Sequence, residues 1–136
     1  MSKKGILIIG AGGVSRVATV KCAMNIDTFE KITLASRTVS KCESMAADIL
    51  KNQGVKIDVA SVDADNVDEL VKLIEKVNPK LVLNVALPYQ DLTIMDACTK
   101  CGVDYVDTAN YEHPDEAKFE YKEQWARDNQ FKEAGI

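Results

Sequence analysis

Apolar residues follow two rhythms that alternate along the chain. Residues 5–9, Gly-Ile-Leu-Ile-Ile, are apolar without alternation, as in a strand buried on both faces of a sheet. Helical spacing follows over residues 13 to about 25, and residues 31–35 read as a second strand. A helix is predicted over 39–52, with Gly54 just past its end, then a weaker third strand over 55–59. Asp65 or Asn66 can cap a helix running to about Val77, and Pro79 follows it. Residues 81–85 form the fourth strand, 91–100 a helix ended by Gly102, and 104–107 a short fifth strand. The last helix is predicted from Pro114 to about Ala134.

Strands alternating with helices through short loops predict an α/β fold, a doubly wound parallel sheet of about five or six strands in one domain over residues 1–136. Gly135 reads as a helix stop and Ile136 as the first residue of another strand. The expectation is an N-terminal fragment, a ligand-binding domain whose companion domain is absent.

Composition narrows the partners. Seventeen basic and 21 acidic residues give a net charge of −4, with no long block of one sign. That disfavours nucleic acid or an anionic membrane as the main partner, though a local positive pocket stays possible. No apolar run is long enough to span a bilayer, and no signal peptide is recognisable. The cytoplasm is the expected compartment, where the four cysteines are expected as free thiols.

The first strand–helix junction reads Gly10-Ala11-Gly12-Gly13-Val14-Ser15. A glycine loop in that context is the dinucleotide-binding fingerprint of a Rossmann-type domain. Gly10 would make the tight turn, and Gly12 would let the backbone approach a pyrophosphate. Gly13 and Val14 would offer free N–H groups at a helix N-terminus. The third fingerprint position, usually Gly or Ala, carries Ser15, whose hydroxyl can bond within the first helical turn.

The end of the second strand sits beside the adenosine ribose in this fold, where an acid holds the ribose of NAD. Here the chain has Ser36, Arg37 and Thr38, with Lys41 one helical turn on. A missing acid and a gained guanidinium favour a 2′-phosphate, hence NADP(H). Asp63 either receives the adenine amino group, with Val62 against the ring, or serves as a helix cap. Past the fourth strand, Ala86 and Leu87 can flank the second ribose, Pro88 stiffens the turn, and Tyr89 puts a phenol near the cleft or packs on a helix. Asp107 and Thr108 end the fifth strand, as crevice contacts or as turn formers.

Cys98 and Cys101 form a CxxC at a helix end, which reads as packing because thiolates are stabilised at helix starts. His113 precedes Pro114 and reads as a turn or cap. Phe119, Tyr121, Trp125 and Phe131 are expected to pack on the sheet or on a missing domain.

The stretches ILIIGAGGVSRV, ITLASRT, LVLNVALPYQDL, MDAC, GVDYVDTANYE and DEAKFEY resemble the cofactor domain of the saccharopine dehydrogenase family, most closely its carboxynorspermidine dehydrogenase branch. The resemblance implies an NADPH-dependent reductase that joins an aldehyde and an amine as an imine and reduces it. In that branch the aldehyde is aspartate semialdehyde and the amine a diamine; in the saccharopine branch the amine comes from an amino acid. The resemblance places residues 10 and 12–15 at the pyrophosphate, Ser36 and Arg37 at the 2′-phosphate, and Pro88 and Tyr89 near the nicotinamide, with Asp107 and Thr108 facing the same crevice. It implies a substrate domain beyond residue 136, no catalytic residue in this stretch, and a homodimer at full length. The alternative is a non-catalytic nucleotide-sensing module, which shares the glycine loop but usually carries an acid at the end of the second strand, so that Arg37 discriminates against it.

Overall fold

The computed structural model describes residues 2–108 and 110–136. At its centre is a parallel sheet of strands β1 (Ile6–Ile9), β2 (Ile32–Ser36), β3 (Asp58–Ser61), β4 (Leu81–Asn84) and β5 (Asp104–Asp107), in the order β3-β2-β1-β4-β5. Helices α1 (Gly13–Met24), the one-turn α2 (Ile26–Phe29), α3 (Val39–Gln53), α4 (Val67–Val77) and α5 (Asp91–Cys101) connect them. The doubly wound parallel sheet expected from the alternating pattern is the fold observed.

The unbroken apolar run of β1 has a direct cause. β1 is the middle strand, with Leu7 opposite Thr33 of β2 and Val82 of β4. Side chains alternate across a sheet, and both faces here carry helices. Leu7 and Ile9 join one core with Leu70, Ile74, Ile94 and Cys98, from α4 and α5. Ile6 and Ile8 join the other with Cys22, Cys42, Met45 and Ile49, from α1 and α3. Cys98 is therefore core filling; burial pushes its thiol up to about 12. All four cysteines are free.

Asn66 is the cap of α4: its side-chain oxygen accepts from the N–H groups of Asp68 and Glu69, both at 3.1 Å. The third strand starts three residues later than the pattern suggests. β3 is an edge strand whose limits are set by pairing, Ala35 opposite Ala60, and Ile57 enters the core just before it.

The long last helix is corrected. Residues 111–120 hold a small antiparallel pair, β6 (Tyr111–Glu112) with β7 (Phe119–Glu120). His113 forms the turn between them, its Nδ1 accepting from the Asp115 N–H at 3.2 Å. Helix returns only as the short α6 (Lys122–Trp125) and α7 (Asp128–Ala134). Between these two, Arg127 reaches inward and forks onto Asp96 of α5 at 2.8 and 3.1 Å. Phe131 of α7 packs against Tyr105 of β5, with ring centroids 6.3 Å apart. These anchors lie far off in sequence, so the local charge pattern could not reveal them. Trp125, three-quarters exposed, and Tyr121 stay on the surface.

Candidate functional site

β1 leads through α1 to β2 on one side, and β4 lies on the other. The loops leaving β1 and β4 diverge, which opens a crevice at the strand C-termini. Gly10 sits at that junction with φ +117°, and a Cβ there would stand 2.7 Å from the Val85 carbonyl oxygen. Gly10 N–H donates to Ala35 O, and Val85 N–H donates to Ile9 O, each at 2.9 Å. The glycine loop is thus tied to both neighbouring strands.

Ser15 is fully buried, as the third fingerprint position requires. Its hydroxyl donates to Gly10 O at 2.6 Å, so it ties the helix back to the loop instead of bonding inside the first turn. Gly12 and Gly13 behave differently from Gly10: a Cβ on either would meet nothing within 4 Å. No side chain caps α1, and its first turn holds no acid. The helix start therefore presents free N–H groups and a positive dipole end toward open space, which is what an anionic pyrophosphate needs.

A cleft of about 280 Å³ opens in front of this loop. Its walls are residues 9–12 after β1, then Ser36, Arg37, Thr38 and Lys41 after β2. Val62 and Ala64 follow from β3, and residues 85–87 with Gln90 from the β4 side. Two cations and no carboxylate are among these lining residues, in a protein of net charge −4. Neither Arg37 nor Lys41 has an ion-pair partner among the described residues. α3 begins here as well, with no side-chain cap and no acid in its first turn. Ser36 Oγ accepts from Thr38 N–H at 3.1 Å and so shapes the corner. The chemistry of this donor set fits a phosphate monoester beside a ribose.

Of the residues singled out from sequence, Gly10, Gly12, Ser36, Arg37, Thr38, Ala86 and Leu87 line the cleft together. Gly13 and Val14 continue from it along the start of α1, where Val14 is exposed. Asp63 stays outside the lining; its Oδ1 accepts from Asp65 N–H at 3.0 Å. Pro88 and Tyr89 form a short 3-10 turn ahead of α5, also off the lining. Ala64 and Gln90 line the cleft without having stood out in the sequence, because a small residue and a turn amide carry no distinctive local signal.

Asp107 ends β5 and Thr108 follows it, and neither is among the residues lining the cleft. Asp107 is committed to a part-buried polar chain. Asn84 Oδ1 accepts from Ala86 N–H at 2.9 Å, while its Nδ2 donates to the Tyr105 hydroxyl at 3.1 Å. Tyr105 donates in turn to Asp107 at 2.7 Å. Gln124 Nε2 then bridges Asp107 at 3.0 Å and Asp91 at 2.6 Å. Burial raises the Tyr105 phenol far above its ordinary value and also raises the Asp91 carboxyl. This chain answers what satisfies the polar Asn84 inside an apolar strand, and it fixes the loop that carries Ala86 and Leu87.

Comparison with known proteins places the chain in a family and shows that it shares its fold with a solved structure. A carboxyaminopropylagmatine dehydrogenase from Synechocystis is 53% identical over 131 residues, covering 96% of this chain and 32% of that protein. A carboxynorspermidine synthase from Vibrio cholerae is 41% identical over 143 residues, covering 96% and 34%. This chain thus spans about a third of the length of those relatives. Among solved structures, saccharopine dehydrogenase (L-Glu forming) from Saccharomyces cerevisiae shares the fold, with a TM-score of 0.72 and 19% identity over 98% of this chain and 26% of that one. Residues 6–136 match the family described as saccharopine dehydrogenase NADP binding domain. Fold, cleft and family agree: the chain belongs to the NADP-binding domains of the saccharopine dehydrogenase family, and its cofactor is NADP(H).

Proposed function

We propose that this chain is the NADPH-binding part of an oxidoreductase that reduces an imine, formed from an aldehyde of the aspartate-semialdehyde type and an amine, to a secondary amine. Two relatives named for carboxyaminopropyl-agmatine and carboxynorspermidine chemistry support the reading. The higher identity belongs to the agmatine enzyme, so agmatine is the amine proposed ahead of a short diamine.

In this reading Gly10, Gly12, Gly13, Val14 and Ser15 build the pyrophosphate seat. Backbone N–H groups do the binding, and Ser15 holds the loop in shape. Ser36, Arg37, Thr38 and Lys41 take the 2′-phosphate, with Arg37 able to fork onto two of its oxygens. Ala86 and Leu87 carry the cleft toward the second ribose, and Pro88, Tyr89, Asp107 and Thr108 stand around the nicotinamide end. NADPH, when bound, supplies the hydride. The protein contributes position and exclusion of water, holding donor and acceptor together. No side chain of this stretch is assigned to proton transfer; that group is proposed to lie in a substrate domain of the parent enzyme, which is expected to be a cytoplasmic homodimer.

The observation that carries the reading is the pair Arg37 and Lys41, without an ion-pair partner among the described residues and in a cleft whose lining residues include no carboxylate. Titration of the chain with NADPH and NADH by nucleotide fluorescence tests it, with NADPH expected to bind more tightly. Equal binding removes the phosphate role. In the full-length parent, NADPH oxidation should require the aldehyde and agmatine together. Turnover with a short diamine but not agmatine would transfer the proposal to the norspermidine branch.

A further inference from the structure

Gln90 is a polar side chain only 4% exposed, yet it borders the cleft. Its backbone is tied at both ends. The N–H donates to Leu87 O at 3.0 Å, and the carbonyl accepts from the Thr93 hydroxyl at 3.0 Å. That hydroxyl shares its one proton with Ala64 O, which lies closer at 2.5 Å, and so pins the start of α5 to the loop after β3. The side chain is tied too: Nε2 donates to Asp65 Oδ2 at 3.1 Å.

That last bond decides which end of the amide points where. A carboxylate only accepts, so Asp65 must receive the NH₂ end, and the Oε1 carbonyl is left over. No described residue donates to Oε1, and among the described residues no side-chain oxygen without a partner is sealed from solvent. The opening Gln90 borders is the cleft. Beside it, Val62 and Ala64 offer an apolar wall, 2% and 6% exposed. Arg37 and Lys41, the proposed 2′-phosphate cations, line the same cleft. An apolar wall with one fixed acceptor, near a phosphate-binding corner, matches a flat base that carries an exocyclic amino donor.

We propose that Gln90 reads the adenine of NADPH, its Oε1 accepting from the exocyclic amino group while Val62 and Ala64 pack on the ring, and that Asp65 is the positioning residue that locks the amide. This rests on the cleft being the NADPH site. It moves base recognition from Asp63, whose Oδ1 is already engaged by Asp65 N–H, to a residue one strand further along, after β4.

The test compares NADPH with its hypoxanthine analogue, in which a carbonyl replaces the amino group and would face Oε1 acceptor to acceptor. Wild type should prefer NADPH by about tenfold, the worth of one such hydrogen bond against an unpaired acceptor. Gln90→Met should bring the two ligands close to parity. Asp65→Ala, at an exposed position, should also narrow the preference, because the freed amide can turn its NH₂ end to the carbonyl. A merely structural Asp65 would leave that ratio alone. Arg37→Ala should weaken both ligands and keep the ratio. Equal binding of the two ligands by wild type overturns the proposal, as does a full preference retained in both variants. A preference lost in Asp63→Asn but kept in Gln90→Met returns the role to Asp63. Failure of wild type to bind either ligand sinks the NADPH reading itself, which the ratio does not address.

Discussion

Gly10 and Val85 meet so closely that the missing Cβ of Gly10 is what lets the loops after β1 and β4 share one floor, 2.7 Å from Cβ position to carbonyl oxygen. Its φ of +117° is open only to glycine. Gly12, two residues on, has ordinary dihedrals and empty space where a Cβ would go. The two glycines therefore serve different ends. Gly10→Ala should cost roughly 2–4 kcal/mol of stability through strain and backbone collision. Gly12→Ala should cost less than about 1 kcal/mol yet weaken NADPH binding, because its methyl occupies the ligand's space. Urea unfolding and nucleotide titration on both variants separate the roles; equal stability losses would contradict the distinction.

Arg37 and Lys41 should control the choice of nucleotide. A charge-assisted hydrogen bond is worth about 1.5–3 kcal/mol, so Arg37→Ala should weaken NADPH by roughly tenfold to a hundredfold and leave NADH nearly unchanged. Lys41→Ala, which removes a point charge, should do less. Added salt should weaken NADPH more than NADH in wild type and shrink that gap in the double variant. The check is a pair of titrations at low and high salt.

Asp91 predicts an unusual response to acid. Burial raises its carboxyl above the ordinary 3.8, outweighing the Gln124 amide and the Leu92 N–H, and the Asp107 charge adds to the rise. The fold then takes up this proton more readily than the unfolded chain does. The contribution to stability is fully present below 3.8 and is lost as pH rises through the folded value. The stability advantage of wild type over Asp91→Asn should therefore grow as pH falls from neutral to below 3.8. Urea midpoints across that window check the sign; a gap that stays flat or shrinks on acidification contradicts it.

Cys98 and Cys101 should not behave as a redox pair. The Cys98 thiol is fully buried and pushed up to about 12, and burial raises Cys101 as well. A thiol–disulfide reagent at neutral pH should leave Cys98 unlabelled in the folded chain and reach all four cysteines after denaturation. Rapid labelling of Cys98 in the native state would remove its packing assignment.

The sheet was legible because helices α1, α3, α4 and α5 and the inner strands announce themselves locally. β1 lacks alternation since both its faces are covered, and Asn66, Gly54 and Gly102 mark helix ends through their own caps. β3 was displaced because an edge strand takes its limits from a neighbour. The stretch after Pro114 failed for a related reason: charged residues at helical spacing fit a helix, but the β6–β7 pairing and the Arg127–Asp96 fork break it into short pieces.

Sequence by itself determined the fold class, the glycine loop and the missing acid followed by Arg37 at the end of β2, since these rest on spacing and residue chemistry within a few positions. Tertiary structure decided which of the candidate residues share a wall. It drew Asp107 into a chain with Tyr105 and Gln124, and turned Asp63 back onto its own loop. It brought Gln90 to the cleft with its amide fixed by Asp65, 25 residues away in sequence. A buried hydrogen bond must be completed by whichever group the fold delivers, and that choice is made across strands, where local pattern carries no information.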